Sequence, residues 1–141
     1  MSSTGTLQLT AAQVNNSDAG RIASAMALTA VVTGLNQTNV VNNQSGKISS
    51  ANGFTLAATS LDNTDGSLIS DKALIVRINQ LLTNLRGQIS ANGVTLSAAT
   101  LDNRNAELSS LGNLTANIGQ FDNREKGRLL ANGALLLTAD G

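Results

Sequence analysis

The sequence predicts an all-β fold, a parallel β-helix (solenoid) of about six coils with roughly 20 residues in each. Three observations lead there. One tripeptide, an aliphatic or aromatic residue followed by Asp or Asn and then Asn, recurs at Val14-Asn15-Asn16, Val41-Asn42-Asn43, Leu61-Asp62-Asn63, Leu101-Asp102-Asn103 and Phe121-Asp122-Asn123. Further features recur at fixed offsets from it. Among the 141 residues there is no proline, which would interrupt a strand ladder anywhere it fell.

The tripeptide starts lie 27, 20, 40 and 20 residues apart, and the doubled period contains a weaker copy, Leu82-Thr83-Asn84. A small residue follows each copy: Gly20, Gly46, Gly66, Gly87, Ala106 and Gly127. Two residues on comes an aliphatic: Ile22, Ile48, Leu68, Ile89, Leu108 and Leu129. Asn-Gly then marks a turn at 52–53, 92–93 and 132–133, and Gly112-Asn113 reverses it. An alternating run follows each turn, as in Phe54-Thr55-Leu56 and Val94-Thr95-Leu96. Each repeat therefore reads as a short strand, a turn, a longer strand of period two and a corner at the Asp-Asn pair. The longer strands are expected near residues 54–58, 74–78, 94–98, 114–118 and 135–139.

A unit this short cannot bury its apolar side alone, but stacking equivalent units can. Equivalent side chains then form columns about 4.8 Å apart. Ile48, Leu68, Ile89, Leu108 and Leu129 are expected to form one inward column, and Phe54, Leu74, Val94, Leu114 and Leu135 another. Each buried Leu or Ile contributes roughly 1.5–3 kcal/mol. The corner residues are Asn16, Asn43, Asp62, Asn63, Asp102, Asn103, Asp122 and Asn123, with Asn63, Asn103 and Asn123 placed to bond one another through their amides.

Two stretches depart from the period. Residues 71–86 set Leu74, Ile78, Leu81, Leu82 and Leu85 at helical spacing. Their position between in-register repeats favours a coil with one inserted residue. Residues 35–45 lengthen one repeat by about six residues and read as a loop insertion. Its Asn36, Gln37, Thr38 and Asn39 are the candidate contact loop for a ligand or receptor.

Composition excludes much chemistry. Lys plus Arg is 9 and Asp plus Glu is 9, so no net basic field exists to draw nucleic acid or an anionic membrane. The absence of His and Cys removes imidazole acid–base catalysis, thiol nucleophiles, Cys/His zinc sites and disulfides. No apolar run approaches the roughly 18 residues of a membrane span, and no signal peptide is visible at the start. No catalytic residue, cofactor or metal is expected.

Three other readings attach to particular rows. Asp62, Asp102 and Asp122 could stack as the acids of a polysaccharide-cleaving solenoid or bind calcium, but each sits where Asp ordinarily bonds local backbone. Thr29, Thr55, Thr95 and Thr115 share an outward position, like a threonine ladder. Arg77, Arg86, Arg104, Arg124, Lys126 and Arg128 could form a basic edge, with a solvated face as the ordinary alternative.

Leu101-Asp102-Asn103, Phe121-Asp122-Asn123, Gly-Asn-Leu-Thr at 112–115 and Asn-Gly-Ala-Leu at 132–135 closely resemble the shaft repeats of filamentous haemagglutinin-type proteins. The likeness is strongest over 46–141. It implies a right-handed parallel β-helix, part of an adhesin or contact-dependent growth-inhibition exoprotein. It also implies two-partner secretion through an outer-membrane β-barrel transporter and a rod on the bacterial cell surface that presents distal binding or toxin domains. The family's amino-terminal Asn-Pro motifs and a toxin domain are absent. Residues 1–141 are thus expected to be one β-helical segment cut from a longer shaft. Its uncapped first coil (Leu7, Leu9) and last coil (Leu135, Leu137) are expected to favour end-to-end self-association. The alternative is a module that binds a glycan or receptor through an exposed face or the 35–45 loop. No nucleic-acid partner and no membrane insertion are expected.

Overall fold

Every strand pairs in parallel with its counterpart one turn of chain away, so the molecule is a stack of coils, a β-solenoid. A computed structural model of the chain describes residues 1–32 and 40–139. Among them there is no helix. Each coil has three short sides. The first sheet stacks Ser2–Ser3, Arg21–Ser24, Lys47–Ser50, Ser67–Ser70, Gln88–Ala91, Glu107–Ser110 and Arg128–Ala131. The second stacks Leu7–Thr10, Leu28–Val32, Phe54–Ala58, Ala73–Ile78, Gly93–Asp102, Leu114–Asp122 and Leu135–Ala139. The third stacks Val14–Asn15, Val40–Asn42, Ser60–Asp62 and Leu81–Thr83. It then merges with the second, because Gly93–Asp102 and Leu114–Asp122 run through both.

The columns follow from register. Ile22, Ile48, Leu68, Ile89, Leu108 and Leu129 are stacked partners on the first side, and the first five are buried. Leu28, Phe54, Leu74, Val94 and Leu114 fill the second side, while Leu135 of the same column is exposed. The third side contributes Leu61, Leu82 and Leu101.

Adjacent inward columns compensate each other in volume. Leu56, Leu96 and Ala116 of one column meet Ala58, Ala98 and Ile118 of the next, large against small, whereas Val76 meets Ile78. Leu56 with Ala58 and Ala116 with Ile118 thus supply nearly the same apolar volume to their cross-sections, as a close-packed interior requires. The second coil combines Ala30 with Val32. An apolar cavity of about 10 Å³ lies there, lined by Leu9, Val14, Ile22, Leu28, Ala30, Ile48 and Leu56. A cavity without polar lining stays dry.

Residues 71–86 are coil, with strands at Ala73–Ile78 and Leu81–Thr83. The inserted residue lies at the corner between Ile78 and Leu82, and the next turn, Ala91 to Gly93, is one residue shorter than its counterparts. Leu74, Ile78 and Leu82 point inward and Leu81 outward. The long second repeat is narrower in its irregularity than the 35–45 range: Val40–Asn42 already pair as a third-side strand between Val14–Asn15 and Ser60–Asp62. The additional residues therefore fall between Val32 and Val40. Asn36, Gln37, Thr38 and Asn39 lie outside the described residues.

Leu96 is 1% exposed between Val76 and Ala116, whereas Thr95 next to it faces solvent. Leu96→Asp is expected to lower the unfolding free energy by more than about 3 kcal/mol, since a charge would enter a dry interior. Thr95→Asp is expected to change it by less than about 0.5 kcal/mol. Urea unfolding of the two variants measures the difference, and equal midpoints would contradict the inward and outward assignment.

Candidate functional site: the asparagine corner

The corner from the third side back to the first is the most polar part of the interior. Asn43, Asn63, Asn84 and Asn103 are fully buried there, and Asn16 nearly so. A buried amide must place two N–H donors and one oxygen. Each Nδ2 donates to the Oδ1 of the next asparagine: Asn16 to Asn43, Asn43 to Asn63, Asn63 to Asn84, Asn84 to Asn103 and Asn103 to Asn123, all at 2.8 Å. The second N–H goes to a backbone carbonyl of the neighbouring coil: Lys47, Ser67, Gln88, Glu107 and Arg128 for the same five donors. The result is one unbroken chain of amides through six coils.

The turn around each asparagine explains its neighbours. Two residues beyond it the backbone is left-handed without glycine, at Asp18, Ser45, Asp65, Arg86, Asn105 and Glu125, with φ between 52° and 58°. Glycine comes one or two positions later, and for a different reason. A Cβ on Gly66 would lie 2.2 Å from the Asn43 carbonyl oxygen and 2.7 Å from Asn63 Oδ1. Gly46 and Gly87 are equally confined by the stacked asparagines. The turn bond from this position to the asparagine carbonyl, present at Gly46, Gly66 and Gly87, is missing where Ala106 stands instead.

Asp62, Asp102 and Asp122 precede the ladder and point outward. Each accepts the N–H two residues on, from Thr64, Arg104 and Arg124. Their remaining oxygens are engaged as well. Arg104 forks onto Asp102 at 2.9 and 2.8 Å and reaches Asp122 at 3.7 Å. Arg124 forks onto Asp122, Gln44 bonds Asp62, and Arg86 pairs with Asp65 across adjacent coils. Hydrogen bonding by Arg104 holds the Asp102 carboxyl below the usual range. The Arg124 guanidinium holds that of Asp122 down to about 2. Each of these carboxylates is thus tied to its own turn and to a neighbouring side chain, and among the described residues no three His, Cys, Asp or Glu side chains converge to hold a metal.

The six cations form no single edge. Arg77 is on the outer face of the second sheet, Arg128 on that of the first, Lys126 in a corner turn, and the other three in the pairs above. The row Thr29, Thr55, Thr95 and Thr115 is interrupted by Ile75, with Arg77 beside it.

A second polar column was not anticipated from the sequence. Ser24, Ser50, Ser70 and Ser110 are buried where the first side ends. Each hydroxyl contacts the carbonyl three residues on and a carbonyl of the preceding coil; Ser50 Oγ lies 2.9 Å from Gly53 O and 2.8 Å from Met26 O. The signal was present as a serine two residues after Ile22, Ile48, Leu68 and Leu108. Ala91 occupies this position in the turn that is one residue short.

Against known families, the haemagglutinin-repeat model matches residues 2–93 and again 79–141. No match to a curated protein or to a solved structure was found.

Two outcomes are expected from this geometry. Asn63→Asp keeps the shape but loses both donors and buries a charge, so it is expected to cost roughly 3 kcal/mol or more. Asn123→Asp, at the partly exposed end of the ladder, is expected to cost much less, as chemical unfolding will measure. The second concerns acid. An unfolded Asp titrates near about 4, so carboxylates depressed in the fold contribute fully above that pH. Their contribution is lost as pH falls toward 2 through the folded value of Asp122. The melting temperature is expected to drop across this window, and less steeply in Asp122→Asn.

Proposed function

We propose that this chain, which belongs to the haemagglutinin-repeat family, is a rigid length of shaft in a filamentous adhesin exposed on a bacterial surface. The observation that carries the reading is the unbroken register of Leu28, Phe54, Leu74, Val94, Leu114 and Leu135, with the asparagine ladder running parallel to it. Each coil adds about 4.8 Å of rod. Reach is thus set by the number of repeats, and the binding or toxic work belongs to parts held at a distance.

The same stacking suits export as an extended chain through an outer-membrane β-barrel transporter of the two-partner type. Each coil contacts only its neighbours, so a coil folds on the one before it as the chain emerges. With no cysteine or proline, neither disulfide formation nor prolyl isomerisation delays that growth. A host or neighbouring-cell receptor or glycan is the partner of the whole filament.

Duplicating residues 74–113, two full periods, is expected to lengthen the particle by about 10 Å in small-angle scattering. A glycan array probed with either length is expected to show background signal. Saturable glycan binding, or an unchanged particle length, would refute a spacer role.

A further inference from the structure

Two sets of asparagines among the described residues stand in chemically different settings. Ladder asparagines are buried, their amide nitrogens donate twice, and Gln44, Thr64, Leu85 and Arg104 follow them. The asparagines that turn the chain from the first side to the second, Asn52, Asn92 and Asn132, are exposed and followed by glycine. An asparagine side chain is open to attack by the backbone nitrogen of the next residue, and a glycine there offers no Cβ to hinder the approach. The turn of Asn92 is one residue short and Asn132 sits one residue nearer the first side than Asn52, and the three glycine nitrogens differ accordingly. Gly133 N–H donates to Gly112 O at 2.8 Å, and Gly93 N–H donates weakly to Lys72 O at 3.4 Å. Gly53 N–H donates to no backbone carbonyl among the described residues.

We propose that Asn52 is a site of spontaneous covalent modification, converted to aspartate and isoaspartate by attack of Gly53 N on its Cγ, ahead of Asn92 and Asn132. The Gly53 N–H proton is lost, the N–Cγ bond forms, the Cγ–Nδ2 bond breaks and ammonia leaves, closing a five-membered imide. Water opens the imide at either carbonyl. Opening at one restores the normal backbone as aspartate, and opening at the other routes the backbone through Cβ and Cγ as isoaspartate. Overall, amide plus water gives carboxylate plus ammonium, with no change of oxidation state.

The product matters because of what the turn holds. The Asn52 carbonyl faces Ser70 Oγ at 3.1 Å, one bond of the buried serine column. Isoaspartate lengthens the turn by one backbone atom at that point. The new carboxylate lies one coil from Lys72, since Ser50 and Ser70 are in register.

The folded chain and the same chain unfolded in urea are incubated at mildly alkaline pH, digested, and read by peptide mass and by isoaspartyl methyltransferase labelling. In the folded chain Asn52 is expected to convert about fivefold faster than Asn132, the ratio a single hydrogen bond on the attacking N–H provides. Asn92 is expected to fall between them, and the ladder asparagines to stay intact. In urea the three rates should converge. Gly53→Ala should suppress conversion at Asn52 alone; a Cβ there meets nothing within 4 Å, so the variant folds. Asn132 converting as fast as Asn52 in the folded chain, an unchanged ranking in urea, or first conversion at a ladder asparagine would each overturn the proposal.

Discussion

Turning a polypeptide sharply inside its own interior leaves backbone and side-chain polar groups away from water, and stacked amides answer that constraint here. Each corner asparagine from Asn16 to Asn103 bonds the one in the next coil and a carbonyl beyond it, so the bonds that satisfy one turn also fix the distance and register to the following turn. Neighbouring features follow from it. Glycine stands where a Cβ would strike the stacked carbonyl, and strain is accepted instead at the preceding left-handed residue. Non-glycine residues there cost about 1–2 kcal/mol each, tolerated because the flanking bonds over-determine the turn.

The apolar columns work under the same spacing. With neighbouring coils held apart by ladder geometry, a coil cannot move to accommodate an oversized side chain, so volume must be balanced within its own cross-section. The pairing of Leu56 with Ala58 and of Ala116 with Ile118 reflects that balance, and the cavity beside Ala30 marks where it is incomplete. The polar corner and the apolar sides thus depend on each other: loss of either lets the repeat spacing drift.

Outside, the charges serve the turns. Asp102 and Asp122 cap their own corners and bind arginines from the same and the adjacent coil, which leaves them as local fasteners. Exposed pairs of this kind contribute little individually. They lie along one corner of the stack, on the solvent side of the asparagine ladder.

By itself the sequence determined the period, the strand positions, the inward columns and the corner asparagines, because a solenoid writes the same local rule into every repeat and copies can be aligned on one another. Even Leu82-Thr83-Asn84, weak alone, falls in register. Three things only the tertiary structure decided. The apolar spacing of residues 71–86 suits a helix as well as a coil, and pairing with Phe54–Ala58 and Gly93–Asp102 selects the strand. The small residue after each corner could have served a left-handed backbone or a close contact; the approach of the preceding coil's carbonyl identifies the contact. The buried serines look like ordinary strand residues until carbonyls from two coils converge on them. In each case the deciding partner lies about 20 residues away along the chain, where local propensity carries no information and only stacking brings the groups together.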